Sequence, residues 1–251
     1  MIDNRIEIIP VIGVPLIHPG DDIPCIVRKL IHNKSLRLES GDILVVTHTI
    51  VSIAEKKLYS IEKIIATTTA RKISEQVGQS AEKVEVALKE ASKILREQPT
   101  LITKTRHGII TDFSGIDESN APPNTLIALP DDPDESARQI CNAVKEEIGF
   151  KVPVIITDTQ GRPWRKGAVN LAIGVAGMSP FIHNVGKEDL YGKELRSSLV
   201  CLADQIAAAS ELVMGQAGEG IPIVIARGIK YEDVDGKASQ ILRSFSENLF
   251  E

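Results

Sequence analysis

The sequence predicts an α+β fold of mixed sheets with packed helices, built as one large domain or as two interlocked subdomains. Three observations predict it. Val154 to Ile156, with Val152 before them, form a short apolar run that suits a strand buried on both faces. Stretches opening at Ser80 and at Asp132 carry apolar residues at helical spacing. Between Leu101 and Leu129, short strand-like runs (LITKT, GIITDF, TLIAL) alternate with turns.

The 251 residues suffice for an ample core, and 43% hydrophobic with 25% charged residues is the balance of a soluble globular protein. A formal net charge of −5 leaves no general basic surface for nucleic acid, so a phosphate ligand would have to be held by local cations. Cys25, Cys141 and Cys201 are far apart and form no CxxC pair, which argues against a disulfide framework or a zinc site. Met1 to Pro10 has no apolar segment of a signal peptide, and no run approaches the ~20 residues of a membrane helix. A soluble cytoplasmic protein is expected, with no membrane partner.

Taken in order, Ile6 to Val11 reads as a first strand, running into Gly13, Val14 and Pro15 and then Pro19 to Asp22. Ile23 to Ile31 is a weak amphipathic helix. Ile43 to Val46 is a buried strand, after which Thr47, His48 and Thr49 turn polar at the carboxyl end, where open sheets keep ligands; a hydrogen-bonded strand-end histidine is the other reading of His48. From Ser80, the stripe Val84, Ala87, Leu88, Ala91, Ile94 and Leu95 predicts one helix, with Lys and Glu opposite. Ser114 to Asn120 (SGIDESN) is a polar bend that serves either loop capping or ligand binding, and Asp117 is a carboxylate available to a metal.

Asp132 caps a helix with Pro133 in its first turn, Asp134 and Glu135 at the positive end of the dipole, and Gly149 as its stop. Val169 to Gly177 is strand-like. After Asp189 to Gly192 a long helix is expected, with Leu195, Leu199, Leu202, Ile206, Ala209 and Val213 on its buried face. Gln216 to Gly220 is a glycine-rich loop that lets backbone amides approach a phosphate or simply connects helix to strand Ile221 to Ala226. Lys237 to Phe250 reads as a modest amphipathic tail helix. No GxxxxGK[ST] or GxGxxG occurs, so a nucleotide would bind without a standard phosphate loop.

The most distinctive stretch is Thr157 to Gly167, TDTQGRPWRKG. Asp158 and Thr159 are placed at a strand end, and Gly161, Pro163 and Gly167 turn the chain. Arg162, Arg165 and Lys166 add cations, so one loop offers hard oxygens to a divalent metal and guanidinium forks to polyphosphate. Turn chemistry, a core-anchoring Trp164 and a solvated cationic rim are the alternative reading.

The blocks GVPLI (13–17), PGDDI (19–23), GDILVVTHTIVS (41–52), SGIDESN (114–120), DDPDESAR (131–138), TDTQGRPWRKG (157–167), DLYGKEL (189–195) and ELVMG (211–215) together resemble the coenzyme F420-0:γ-glutamyl ligase family. The resemblance runs from about Ile6 to Gly228. It implies a GTP-dependent ligase that joins L-glutamate to coenzyme F420-0 and adds a further γ-linked glutamate. Manganese or magnesium, potassium and an intertwined homodimer are implied with it. By similarity, Asp117, Asp158, Thr159 and Gln216 would ligate metal. GTP would meet Ile12, Gly13, Val14, Pro15, His48, Thr49, Asn120 and the loop Leu212, Val213, Met214, Gly215, Gln216, Ala217, Gly218, Glu219. Two departures stand out. Ile53 occupies the place of a family lysine expected at the nucleotide, with Lys56 or Lys57 one turn on, and Phe113-Ser114-Gly115 replaces Asn-Ala-Gly.

Such chemistry needs cations where phosphoryl oxygens gather charge. Asp117 and Asp158 are expected to hold metal between the β- and γ-phosphates, and Arg162 or Arg165 to steady the transferring group or an acceptor phosphate. A divergent ligase for another small carboxylate and a non-catalytic nucleotide or deazaflavin binder are the alternative functions.

Overall fold

The computed structural model describes residues 5–249. β1 (Glu7–Pro10) leads to α1 (Ile23–His32). Asp22 starts that helix by accepting the Cys25 amide at 2.9 Å, and Ile23, Val27 and Leu30 are its buried stripe. β2 (Ile43–Thr47) is buried through Val46 and passes with no loop into α2 (His48–Ala54). β3 (Leu58–Ser60) follows, then α3 (Thr68–Val77) and α4 (Ala81–Glu90), capped by the Thr67 and Ser80 hydroxyls.

β4 (Ala91–Arg96), β5 (Ile102–Thr105) and β6 (Ile110–Asp112) form an antiparallel sheet in that order, while β7 (Thr125–Ile127) pairs with β3. The helix expected through Leu95 therefore stops at Glu90. Ala91 is already extended (φ −78°, ψ 140°), and Ala91, Ile94 and Leu95 belong to β4. Pairing with β5 overrides the helical period, and Ser92 Oγ fastens the junction by donating to the carbonyls of Lys104 and Thr105.

α5 (Pro133–Ile148) is the helix the sequence predicts: Asp132 accepts the Glu135 amide at 2.9 Å and Gly149 ends it with φ 80°. β8 (Val154–Arg162) and β9 (Arg165–Ala176) then make a long hairpin. The strand expected to end at Asp158 and Thr159 instead continues to Arg162, because β9 pairs with it along its whole length. Only Pro163 and Trp164 turn the chain, and Trp164 is 78% exposed rather than a core anchor.

β10 (Phe181–His183) and β11 (Leu199–Cys201) pair antiparallel, α6 (Leu202–Met214) follows, and β12 (Ile223–Arg227) closes the fold. The long helix expected after Gly192 is thus only its second half. Leu195 lies in a loop and Leu199 in β11, so the apolar spacing there was not helical. In place of a tail helix the chain makes 3-10 turns at Ala238–Ile241 and Phe245–Glu247, and Phe250 lies outside the described residues.

The main sheet has the order β1-β12-β2-β8-β9, antiparallel except for the central β2–β8 pair. Strand alternation sends Leu44, Val46, Val154 and Ile156 to one face, against Val27 and Leu30 of α1 and Ile140 and Val144 of α5. Ile43, Val45 and Ile155 go to the other, against Ala203 and Ile206 of α6. A further cluster joins Ile73, Val84 and Leu126 of α3, α4 and β7. The α+β class with mixed sheets is as expected. Among the described residues no helix is long and apolar enough to cross a membrane.

Candidate active site

The site arises where the parallel pair comes apart. β2 and β8 stay in register to Thr47 opposite Thr157; β2 then becomes α2, while β8 runs on beside β9 alone. Asp158 and Thr159 lose one neighbouring strand at that point and line a cavity of ≈ 690 Å³ at the carboxyl end of β2, beside the stretch of β8 that runs past it. Thr47, His48 and Thr49 contribute from the β2–α2 junction, Asn170 from β9, Asp117, Ser119 and Asn120 from the loop before β7, and Met214 to Ala217 from the end of α6.

Asp158, 6% exposed, is held on both oxygens. His48 Nε2 lies 3.2 Å from Oδ1, and Gln160, two residues on and so on the same strand face, donates from Nε2 to Oδ2 at 3.0 Å. Since a carboxylate only accepts, a neutral His48 carries its proton on Nε2 and accepts the Ser52 hydroxyl at Nδ1, 3.3 Å away and one helical turn on. On the opposite strand face, Thr159 Oγ1 donates to Asn170 Oδ1 at 2.5 Å and accepts Gln216 Nε2 at 2.9 Å. Glu211 ties this group to α6, taking the Asn170 amide at 2.9 Å and Gln216 Nε2 at 2.8 Å.

Asp117 reaches the same cavity from a strained turn. Phe113, Ser114 and Gly115 have φ of 45°, 55° and 70°, left-handed values that non-glycine residues adopt at a cost. The turn is paid for by Ser114, whose hydroxyl donates to the Ala87 carbonyl at 2.7 Å and whose amide donates to Thr103 Oγ1 at 2.9 Å. Beyond it, Asp117 exchanges backbone hydrogen bonds with Ile127 at 2.9 and 2.8 Å, and its Oδ1 accepts the Ser119 amide at 2.8 Å. Folding thus brings Asp117 and Asp158 into one pocket.

Gly215 ends α6 with φ 70°, and a Cβ there would lie 2.2 Å from Glu219 Cδ. Only glycine lets the Glu219 side chain fold back over the loop, where its Oε2 accepts the Ala217 amide at 2.8 Å.

Asp112, Asp117 and Asp158 give the cavity three carboxylates, and Lys83 gives it one ammonium. No cysteine lines it, and burial pushes the Cys141 and Cys201 thiols up. Among the described residues, no three His, Cys, Asp or Glu side chains gather as a ready metal cluster. The donor types along the cavity still suit a hard divalent cation: carboxylate, hydroxyl and amide oxygen from Asp117, Asp158, Thr159, Asn170 and Gln216.

Of the residues singled out by sequence, Asp117, Asp158, Thr159, Gln216, Val14, Pro15, His48, Thr49, Asn120, Met214, Gly215 and Ala217 line the cavity. Ile12, Gly13, Leu212, Val213, Gly218 and Glu219 are outside its lining, as are Arg162 and Arg165 at the hairpin tip. Arg162 braces that tip, donating from Nε to the Gly167 carbonyl at 3.2 Å and from Nη2 to that of Lys166 at 2.9 Å. Lys57 pairs with Asp131 at 2.7 Å, and neither it nor Lys56 lines the cavity. Sequence reasoning missed Asn170, Glu211, Asp112 and Lys83. Glu211 stood inside a quoted block, whereas Lys83 looked like the solvated face of a helix.

A family described as F420-0:Gamma-glutamyl ligase matches residues 11–228. The chain is 45% identical over 245 residues to a protein of Methanopyrus kandleri, covering 94% of this chain and 95% of that one. It is 42% identical to one of Methanothermobacter thermautotrophicus (98% of each chain) and 39% to one of Archaeoglobus fulgidus (98% and 96%). All three relatives are named coenzyme F420:L-glutamate ligase.

Proposed function

Because the chain belongs to the F420-0:γ-glutamyl ligase family, we propose that it joins L-glutamate to coenzyme F420-0 at the expense of GTP and then adds a further γ-linked glutamate. One observation carries the reading: Asp117 and Asp158, from separate parts of the chain, line one cavity together with Thr159 and Gln216.

The carboxylate to be joined is a poor acylating agent. Its oxygen takes the γ-phosphoryl group of GTP, giving an acyl phosphate and GDP. The glutamate amine then attacks the carbonyl carbon, the amide forms, and inorganic phosphate and one proton leave. Asp117, Asp158, Thr159 and Gln216 would hold manganese or magnesium, which supplies charge neutralisation at the phosphoryl oxygens, with potassium as helper. His48 and Gln160 keep Asp158 aimed into the cavity. The Val14-Pro15 bend and the Met214 to Ala217 loop line the same cavity and would flank the nucleotide. Arg165, on the exposed hairpin, is available to the acceptor's phosphate. Leu190 and Tyr191, 100% and 96% exposed between β10 and β11, favour a homodimer that covers them.

A second reading, conjugation of another small carboxylate, is motivated by Ile53, which lines the cavity without charge. Incubation of the purified protein with GTP, L-glutamate, coenzyme F420-0 and manganese separates the cases. Glutamylated F420 with stoichiometric GDP is expected. GDP release that depends on a different carboxylate moves the acceptor, and nucleotide binding without turnover under any acceptor defeats the ligase reading.

A further inference from the structure

Lys83 is the only lysine or arginine among the described residues lining the ≈ 690 Å³ cavity. Its amide donates to the Ser80 cap, which puts it in the first turn of α4, where the positive end of the helix dipole opposes a cation. The side chain is only 16% exposed, and its one carboxylate partner among the described residues, Glu118, is 3.7 Å away and itself 51% exposed. The other neighbour is the Phe113 ring, 5.6 Å from Nζ to centroid. The side chain is largely covered yet gains no short charged hydrogen bond from Glu118, an arrangement that leaves the ammonium able to take an anion arriving from the cavity.

No nearby cation competes for that role. Ile53 lines the wall and is 5% exposed, and Lys57 is engaged with Asp131. The three wall carboxylates repel an anion unless a cation intervenes, so Lys83 offers the only direct lysine or arginine contact. We propose that Lys83 binds the phosphate oxygens of the nucleoside triphosphate, exchanging the long Glu118 contact for a phosphate one. The inference rests on the nucleotide-dependent ligase reading and assigns that reading a phosphate-binding residue.

The test uses the full chain with manganese, a fluorescent GDP analogue, and steady-state kinetics in GTP and glutamate. Lys83→Met is expected to raise the GDP Kd and the GTP KM by about tenfold or more while the glutamate KM stays within about twofold. Lys83→Arg is expected to keep most of the affinity. Nucleotide affinity within about twofold of wild type in Lys83→Met, or a rise confined to glutamate, overturns the assignment and leaves the ligase reading standing. A wild-type protein that binds no nucleotide overturns both. Should Lys83→Met melt at a lower temperature, Lys83→Arg decides the matter: nucleotide affinity within about threefold of wild type there, with the loss kept in Lys83→Met, supports the assignment, and an equal loss in both variants overturns it.

Discussion

His48 Nε2 lies 3.2 Å from Asp158 Oδ1 at the point where β2 turns directly into α2. Both side chains are buried, at 4% and 7% exposure, so little water screens the contact. The pair joins two chain segments that the sequence presents separately, and the hydrogen-bonded histidine at the end of β2 is also the residue that faces the Asp158 carboxylate in the cavity.

His48→Ala is therefore expected to raise the manganese concentration for half-maximal activity by about tenfold to a hundredfold, as loss of a ligand-orienting hydrogen bond does. Asp158→Asn is expected to abolish turnover with the far-UV circular dichroism unchanged. A metal titration of both variants checks this, and manganese dependence that is the same as wild type in His48→Ala would remove the orienting role.

Asp134, expected only to favour the start of α5, is a buried acceptor of three backbone amides: Val175 at 2.9 Å, Ala238 at 2.7 Å and Ser239 at 3.3 Å. It binds the C-terminal 3-10 turn to β9 and α5. Asp134→Ala leaves those donors without their acceptor and is expected to destabilise the protein by about 3 kcal/mol, measured by urea unfolding. A loss below about 1 kcal/mol would mean that water replaces the carboxylate at little cost.

Burial, with Asp204 beside it, pushes the Cys201 thiol from 9.0 up to about 12. The unfolded thiol releases its proton first, so stability from this group is intact below pH 9.0 and declines as pH rises toward about 12. Cys201→Ser is expected to flatten the fall of the melting temperature with pH in that window, relative to wild type. Parallel curves for the two proteins would contradict the burial of this thiol.

What the sequence discloses is mostly local. α5 is legible end to end because its signals, Asp132, Pro133 and Gly149, are each a neighbour's chemistry. The stripes through Leu95 and from Leu195 mislead because apolar residues a helical turn apart also suit strands whose partners are distant: Ala91 to Arg96 pairs with β5, and Leu199 with His183. The carboxylates of the site are recognisable as Asp117 and Asp158, but their meeting depends on the strained Phe113 to Gly115 turn and on β8 outrunning β2. Lys83 was hidden for the same reason, since only the tertiary fold turns the first turn of α4 toward the cavity.

In the proposed reaction, one cation would be held by Asp117 and Asp158 at the nucleotide's phosphates. A crystal structure of the protein with manganese and GDP tests it most directly. The account predicts manganese density in the ≈ 690 Å³ cavity with oxygen ligands from both Asp117 and Asp158 and from the diphosphate. Manganese bound with GDP but ligated by neither aspartate would contradict it.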